Sequence, residues 1–165
     1  MISERAWAEI DLAALQHNLS VIRKAAGTAT DVMLVVKADA YGHGMKLVAT
    51  AAQSCGIRSF GVRDTSEALA LRDQGIGLRV LVLGTVIESG LERCLEAGVE
   101  IGIHATDRVK SLRSLVRRLG HRLKHKPRVH LNVDTGMGRL GLPIEARRRC
   151  SMRSSPPHPS SSSSV

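Results

Sequence analysis

A lysine directly after a short apolar run is the first residue of this 165-residue chain that could do chemistry. In the stretch VVKADAYGHG, residues 35–44, Lys37 ends a β-branched segment. The chain's only tyrosine, Tyr41, and two glycines flanking His43 follow it. An ammonium at the end of a buried strand is costly unless it has a task or a partner. In parallel α/β folds the carboxyl ends of the strands are where chemistry is done. Desolvation there disfavours the charged form of an amine. A neutral amine can attack a carbonyl carbon and hold it as a Schiff base, and pyridoxal phosphate is the common carbonyl partner of this kind. Tyr41, Gly42 and Gly44 lie close enough to help hold a phosphate. The competing reading is a lysine facing water at a strand end, and the spacing alone favours it.

The second such segment is HLNVDTGMGRLGL, residues 130–142. It reads as a strand followed by a Gly-rich turn that presents Asp134, Thr135 and Arg139. A fixed guanidinium could hold an oxyanion or a carboxylate through paired hydrogen bonds. Equally, Asp134 and Thr135 could cap the turn while Arg139 faces water. The spacing does not decide between them.

The elements that must position these residues follow from periodicity. RAWAEIDL alternates like a half-buried strand. Asp11 then precedes a helix over LAALQHNLSVIRKAA, with Asp11 as its cap and Gly27 as its stop. Strands are expected at VMLVVK, SFGV, RVLVLG, VEIGI and RVHLNVD. Helices are expected at MKLVATAAQSCG, DTSEALALRDQG, ESGLERCLEAG and TDRVKSLRSLVRRLG. Strict alternation of short apolar strands with amphipathic helices argues for a parallel sheet with helical crossovers. Five strands follow from Val32 onward. A closed (β/α)8 barrel needs eight, so the expected fold class is α/β, about five units of a barrel or a doubly wound sheet.

Composition narrows the function classes. The aromatic residues are Trp7, Tyr41 and Phe60 alone, so the core must be aliphatic. No apolar run is long enough to span a bilayer, and MISERAWAEIDL has no apolar secretory segment, which points to the cytoplasm. Cys55, Cys94 and Cys150 show neither CxxC nor Cys/His spacing, so a disulfide framework and a metal site are not expected. The net charge of +9 raises the question of nucleic acid. Nine Lys and Arg lie between Arg108 and Arg128 with no acid among them, and Arg147, Arg148, Arg149 and Arg153 form a second cluster. No aromatics interleave with them, so base-stacking platforms are missing and a solvated face is the preferred reading.

From Arg147 the chain reads RRRCSMRSSPPHPSSSSSV. Nothing in it builds an element or buries a core. The expected organisation is therefore a folded part over residues 1–146 and an Arg/Ser/Pro-rich tail over 147–165. A frameshift, mis-spliced or truncated end is the preferred origin of the tail, with a natural disordered tail as the alternative.

AWAEIDLAALQHNL, VMLVVKADAYGHG, FGVRDTSEALALRDQGI, VLVLG and VHLNVDTGMGRLGL occur in this order, at spacings that closely resemble the N-terminal barrel domain of bacterial alanine racemases. The resemblance runs from about residue 5 to residue 143. It implies an α/β fold, a partial (β/α)8 TIM-type barrel of about five βα units. It implies a pyridoxal 5'-phosphate enzyme that interconverts L- and D-alanine and so supplies D-alanine for the cell wall. Lys37 matches the lysine that forms the Schiff base with the cofactor and also serves as the base on one face. Tyr41 matches a residue that hydrogen-bonds the cofactor phosphate. Arg139 matches an arginine near the cofactor's phenolic oxygen and the substrate carboxylate. Asn132 departs from the family, many members of which have a carbamylated lysine there that buttresses this arginine. His130 matches no family role and reads as a satisfied strand histidine. The family's second base is a tyrosine from the partner subunit of a homodimer, and this chain's one tyrosine is already assigned. The resemblance thus implies an N-terminal part that is inactive alone. The alternatives are a partner- or nucleic-acid-binding remnant, or another enzyme of the same barrel family.

Overall fold

The computed structural model describes residues 6–86 and 88–144. The tail from Arg147, with Cys150 and its arginines, lies outside the described residues. The chain alternates helices and strands in the order α1 (Leu12–Ala26), β1 (Met33–Val35), α2 (Lys37–Tyr41), α3 (Met45–Ser54), β2 (Ser59–Val62), α4 (Thr65–Asp73), β3 (Arg79–Val82), α5 (Leu91–Glu96), β4 (Glu100–Ile103), α6 (Thr106–Leu119) and β5 (Val129–Leu131). The short pair β6 (Val133–Asp134) and β7 (Leu142–Pro143) follows. The five main strands form one all-parallel sheet in sequential order, β1-β2-β3-β4-β5. Sequential order with a helical crossover at each step is the winding of a barrel, whereas a doubly wound sheet reverses direction at a switch point.

The residues explain the elements. The Asp11 carboxylate accepts the amides of Ala13 and Ala14 at 2.8 and 3.0 Å, and Gly27 leaves α1 at φ 77°. Asp64 accepts the amides of Ser66 and Glu67 and caps α4 in the same way. Phe60, Val62, Val80, Val82, Ile101 and Ile103 are buried and meet Val48, Ala52, Ala68, Leu71 and Leu112 of the crossover helices. Strand alternation puts Val35, Gly61, Leu81, Glu100, Gly102 and His130 on the opposite face, which is the inside of the incomplete barrel. Glycine is required at 102, where backbone crowds the site, and favoured at 61, where the crowding atom is a side-chain end. A Cβ on Gly61 would stand 2.8 Å from Leu83 Cδ1, and one on Gly102 would stand 2.8 Å from the Val82 carbonyl oxygen.

At the amino ends of the strands this face carries a charged cluster. Glu100 is 2% exposed. Its carboxylate accepts two hydrogen bonds from Arg79 at 2.8 and 3.1 Å, one from His130 Nε2 at 2.6 Å and one from Arg128 at 3.4 Å. Burial pushes the carboxyl up, but the hydrogen bonds from Arg79 and His130 outweigh it and hold the group down at about 2. His130 is thus the satisfied strand histidine that the sequence suggested.

One expected element is missing. Residues 6–11 form no strand, and Trp7 is 76% exposed. Alternation says which side chains a strand would bury, but a strand also needs a partner edge. None of the described residues pairs with this stretch.

Candidate active site

Lys37 follows β1 with only Val36 between, at the carboxyl end of the sheet, where the sequence placed it. The backbone around it is unusual. Ala38, Asp39, Ala40 and Tyr41 have φ of 51°, 54°, 54° and 56°, and the first three have ψ of 45–51°. Four consecutive non-glycine residues thus form a left-handed helical turn. Each pays about 1–2 kcal/mol for this handedness, so the turn stores about 4–8 kcal/mol. Such strain persists only where the surroundings over-determine it, and it clusters at functional sites.

The turn is held at every point. The Ala40 amide donates to the Val36 carbonyl at 2.8 Å. Gly42, which ends the turn at φ 87°, donates to the carbonyls of Ala38 and Asp39, and Gly44 donates to that of Asp39 at 2.9 Å. The Ala40 carbonyl accepts from the His43 amide and from His43 Nδ1. The Asp39 carboxylate accepts the Met45 amide at 2.6 Å and so ties the turn to the start of α3. The entry to the turn is tied by Glu67 of α4. Its Oε1 accepts the Ala38 amide at 2.7 Å and its Oε2 accepts the Arg63 amide at 2.7 Å.

Within this frame Lys37 Nζ stands 5.7 Å from the centroid of the Tyr41 ring, within cation–π range. Tyr41 is exposed, and none of the hydrogen bonds among the described residues uses its hydroxyl. Lys37 and Tyr41 are therefore brought together, as the sequence suggested.

Arg139 is exposed and stands on the turn after β6. Asp134 shapes that turn by accepting the amides of Gly136 and Gly138. These bonds, the Gly136 bond foremost, lower the Asp134 carboxyl from its ordinary value. No hydrogen bond or ion pair among the described residues joins Arg139 to Lys37 or Tyr41. With Leu140 and Gly141, Arg139 instead borders a cavity of about 860 Å³ between α5, α6 and β4, which neither Lys37 nor Tyr41 lines. Strand order explains the separation. Lys37 lies on one edge of the sheet and Arg139 beyond the other, about 19 Å apart across four strand spacings before curvature is allowed for.

Asn132 supports the Arg139 turn in an unforeseen way. Its Nδ2 donates to the Leu140 carbonyl at 3.1 Å and to His104 Nδ1 at 3.1 Å. His104 Nε2 donates to the Gly84 carbonyl at 3.2 Å, so its Nδ1 is free to accept. This relay ties the carboxyl ends of β3, β4 and β5 together. Asn132 thereby holds the backbone beside Arg139, not the guanidinium.

Sequence reasoning missed Glu67, Asp39 and His104. One signal existed for Glu67. Asp64 and Glu67 have the spacing of a capping box, in which the glutamate reaches back to the amide of the cap residue. Here it bonds instead to amides on two different strand ends.

A parallel sheet wound in sequence, with a lysine beside a strained turn at its carboxyl end, defines the opening units of a barrel. The family model "Alanine racemase, N-terminal domain" matches residues 10–153. The chain belongs to this family. An alanine racemase from Methanococcus maripaludis is 38% identical over 86% of this chain and 37% of its own length. One from Symbiobacterium thermophilum is 41% identical, again over 86% of this chain and 37% of its own length. The solved alanine racemase of Clostridium difficile 630 superposes with a TM-score of 0.79 at 30% identity, covering 87% of this chain and 36% of its own. The chain thus spans little more than a third of the length of these relatives. The fold is a partial barrel of the kind that binds pyridoxal phosphate in this family.

Proposed function

We propose that this chain is the N-terminal part of a pyridoxal 5'-phosphate enzyme that interconverts L- and D-alanine. The carrying observation is the Lys37 amine, presented from the carboxyl end of β1 on a left-handed turn that is braced throughout and adjoins the free Tyr41 hydroxyl. These residues fit the cofactor, since an amine suits its aldehyde and a phenol donor suits its phosphate. The bound cofactor supplies an electron sink that lowers the cost of removing the α-proton. Lys37 Nζ would hold it and would carry the proton on one face of the α-carbon. Tyr41 Oη would donate to a phosphate oxygen. Arg139 would pair with the substrate carboxylate. Asn132 and His104 steady the turn that carries Arg139.

Racemisation needs a base on each face, and Tyr41 is already committed to the phosphate. The second base is assigned to a partner subunit in a homodimer. We assign residues 1–146 to the barrel part and 147–165 to an Arg/Ser/Pro-rich tail. The setting is cytoplasmic, and the product supplies D-alanine to cell-wall assembly.

The full chain incubated with pyridoxal 5'-phosphate and reduced with borohydride should carry the cofactor on Lys37, found by peptide mass mapping. Lys37→Ala should abolish that adduct. The chain alone should not racemise alanine. A wild-type chain without adduct at Lys37 would refute the assignment.

A further inference from the structure

We infer that Glu67 is the positioning residue for the Lys37 amine, acting through the peptide group that joins Lys37 to Ala38. The inference rests on the reading of Lys37 given above. The Ala38 amide belongs to that peptide group, and Glu67 Oε1 accepts it at 2.7 Å. Fixing the peptide plane fixes ψ of Lys37 and hence the direction in which its side chain leaves the strand. The other oxygen, Oε2, accepts the Arg63 amide at 2.7 Å, in the peptide group that follows β2. One carboxylate therefore bridges the ends of two adjacent strands and sets their separation where the amine is presented.

Two further observations set Glu67 apart from an ordinary first-turn acid. The N-terminus of α4 is already capped by Asp64, which takes the amides of Ser66 and Glu67 itself. Neither Glu67 oxygen is spent on its own helix. The other ties on the left-handed turn come from within residues 36–45, through Asp39, Gly42, His43 and Gly44. They fix its shape but not its attitude to the neighbouring strand. Val36, just before Lys37, donates to the Gly61 carbonyl of β2 at 2.8 Å, and Glu67 adds the side-chain tie from α4. Hydrogen bonds to an ionised acceptor are stronger than neutral ones, and Glu67 sits in the first turn of α4, where the helix dipole favours negative charge.

The consequence concerns where a carbonyl compound reacts. Condensation of a lysine Nζ with the aldehyde of pyridoxal 5'-phosphate expels one water, and borohydride then delivers hydride to the new C=N bond, leaving a stable secondary amine. The ratio of adduct on Lys37 to adduct on the exposed Lys46 and Lys110 reports how well Lys37 is presented, with the surface lysines as controls in the same sample. In the full chain Glu67→Gln keeps the shape but leaves one amide facing an NH2 group, and Glu67→Ala removes both acceptors. Each should lower the ratio about tenfold, the effect of losing one charge-assisted hydrogen bond. Far-ultraviolet circular dichroism should stay unchanged. Amide hydrogen exchange should show Ala38 and Arg63 protected in the wild type, one of them released in Glu67→Gln and both released in Glu67→Ala.

An unchanged ratio in the two variants overturns the inference, as does fast exchange of Ala38 and Arg63 in the wild type. Outright unfolding of Glu67→Gln also overturns it, since Glu67 would then serve folding rather than presentation. A wild-type chain that shows no preference for Lys37 instead overturns the assignment of Lys37 itself.

Discussion

Replacing Glu100 with glutamine separates charge from shape at the amino end of the sheet. Glu100 is 2% exposed and receives hydrogen bonds from Arg79, His130 and Arg128. Its carboxyl falls from the ordinary 4.5 to about 2 on folding. A folded value below the unfolded one means that the unfolded chain takes up the proton first. The stabilisation is therefore fully present above about pH 4.5 and is lost as the pH falls through about 2. The shift is worth about 3 kcal/mol. Arg79 and Arg128 keep about half their side-chain surface in water, which screens the cluster and reduces the expected effect to roughly 2 kcal/mol. Glutamine preserves volume and one acceptor but cannot titrate. Urea unfolding followed by circular dichroism, repeated from neutral pH downward, measures both chains. The wild type should be more stable by roughly 2 kcal/mol at neutral pH, with the gap closing towards pH 2. Because other carboxylates titrate equally in both chains, the difference isolates Glu100. Two curves that stay parallel throughout would refute the reasoning.

Two further outcomes follow from single residues. Arg72 donates to the carbonyls of Ile76, Leu78 and Ala97 at 2.6, 2.8 and 3.0 Å. Arg72→Met should keep the packing of the stem yet lower stability by about 2–3 kcal/mol in the same urea assay, since three carbonyls lose a charged donor. Cys94 is fully buried, and burial raises its thiol to about 11, whereas Cys55 is partly exposed. Iodoacetamide should therefore label Cys55 well before Cys94 in the native chain, and equal labelling under native conditions would contradict the burial described.

The alternation of elements was legible because each helix and strand has its own hydrophobic period and most have a stop residue in place. Asp11, Gly27, Asp64 and Gly75 mark ends with polar or positive-φ residues that local chemistry demands. Lys37 could be placed at a strand end from its position after the β-branched run. The conformation that follows it could not. Ala38, Asp39, Ala40 and Tyr41 include no glycine, so nothing local announces φ above 50°. Bonds made in the folded chain, from Val36, Gly42, His43, Gly44, Met45 and Glu67, hold the turn. The stretch around Trp7 failed for the opposite reason, since its local pattern was clear and its partner was absent among the described residues. Glu100 was unreadable because an acid within a β-branched run shows no sign of the two arginines and the histidine that neighbouring segments bring to it. Arg139 was assigned to the same site as Lys37 by resemblance. The strand order β1-β2-β3-β4-β5 puts Lys37 after the first strand and Arg139 beyond the fifth, a placement set by the winding rather than by residues local to either.

The turn at Lys37 also has a stereochemical consequence. Ala38, at φ 51° and ψ 51°, sits in the mirror image of the ordinary α region. That is where the D enantiomer is at rest and the L enantiomer is strained. Ala38 is exposed, so inverting its α-carbon would move a methyl group that packs on nothing essential, whereas the Ala40 methyl is buried and Asp39 is needed for its bond to Met45. A chain assembled by ligation with D-alanine at residue 38 should therefore unfold at a higher temperature, gaining about 1–2 kcal/mol. A lower melting temperature would show that the site is not strained. This member of the alanine racemase family thus holds an L-alanine in the backbone conformation natural to D-alanine, next to the lysine assigned to exchanging one for the other.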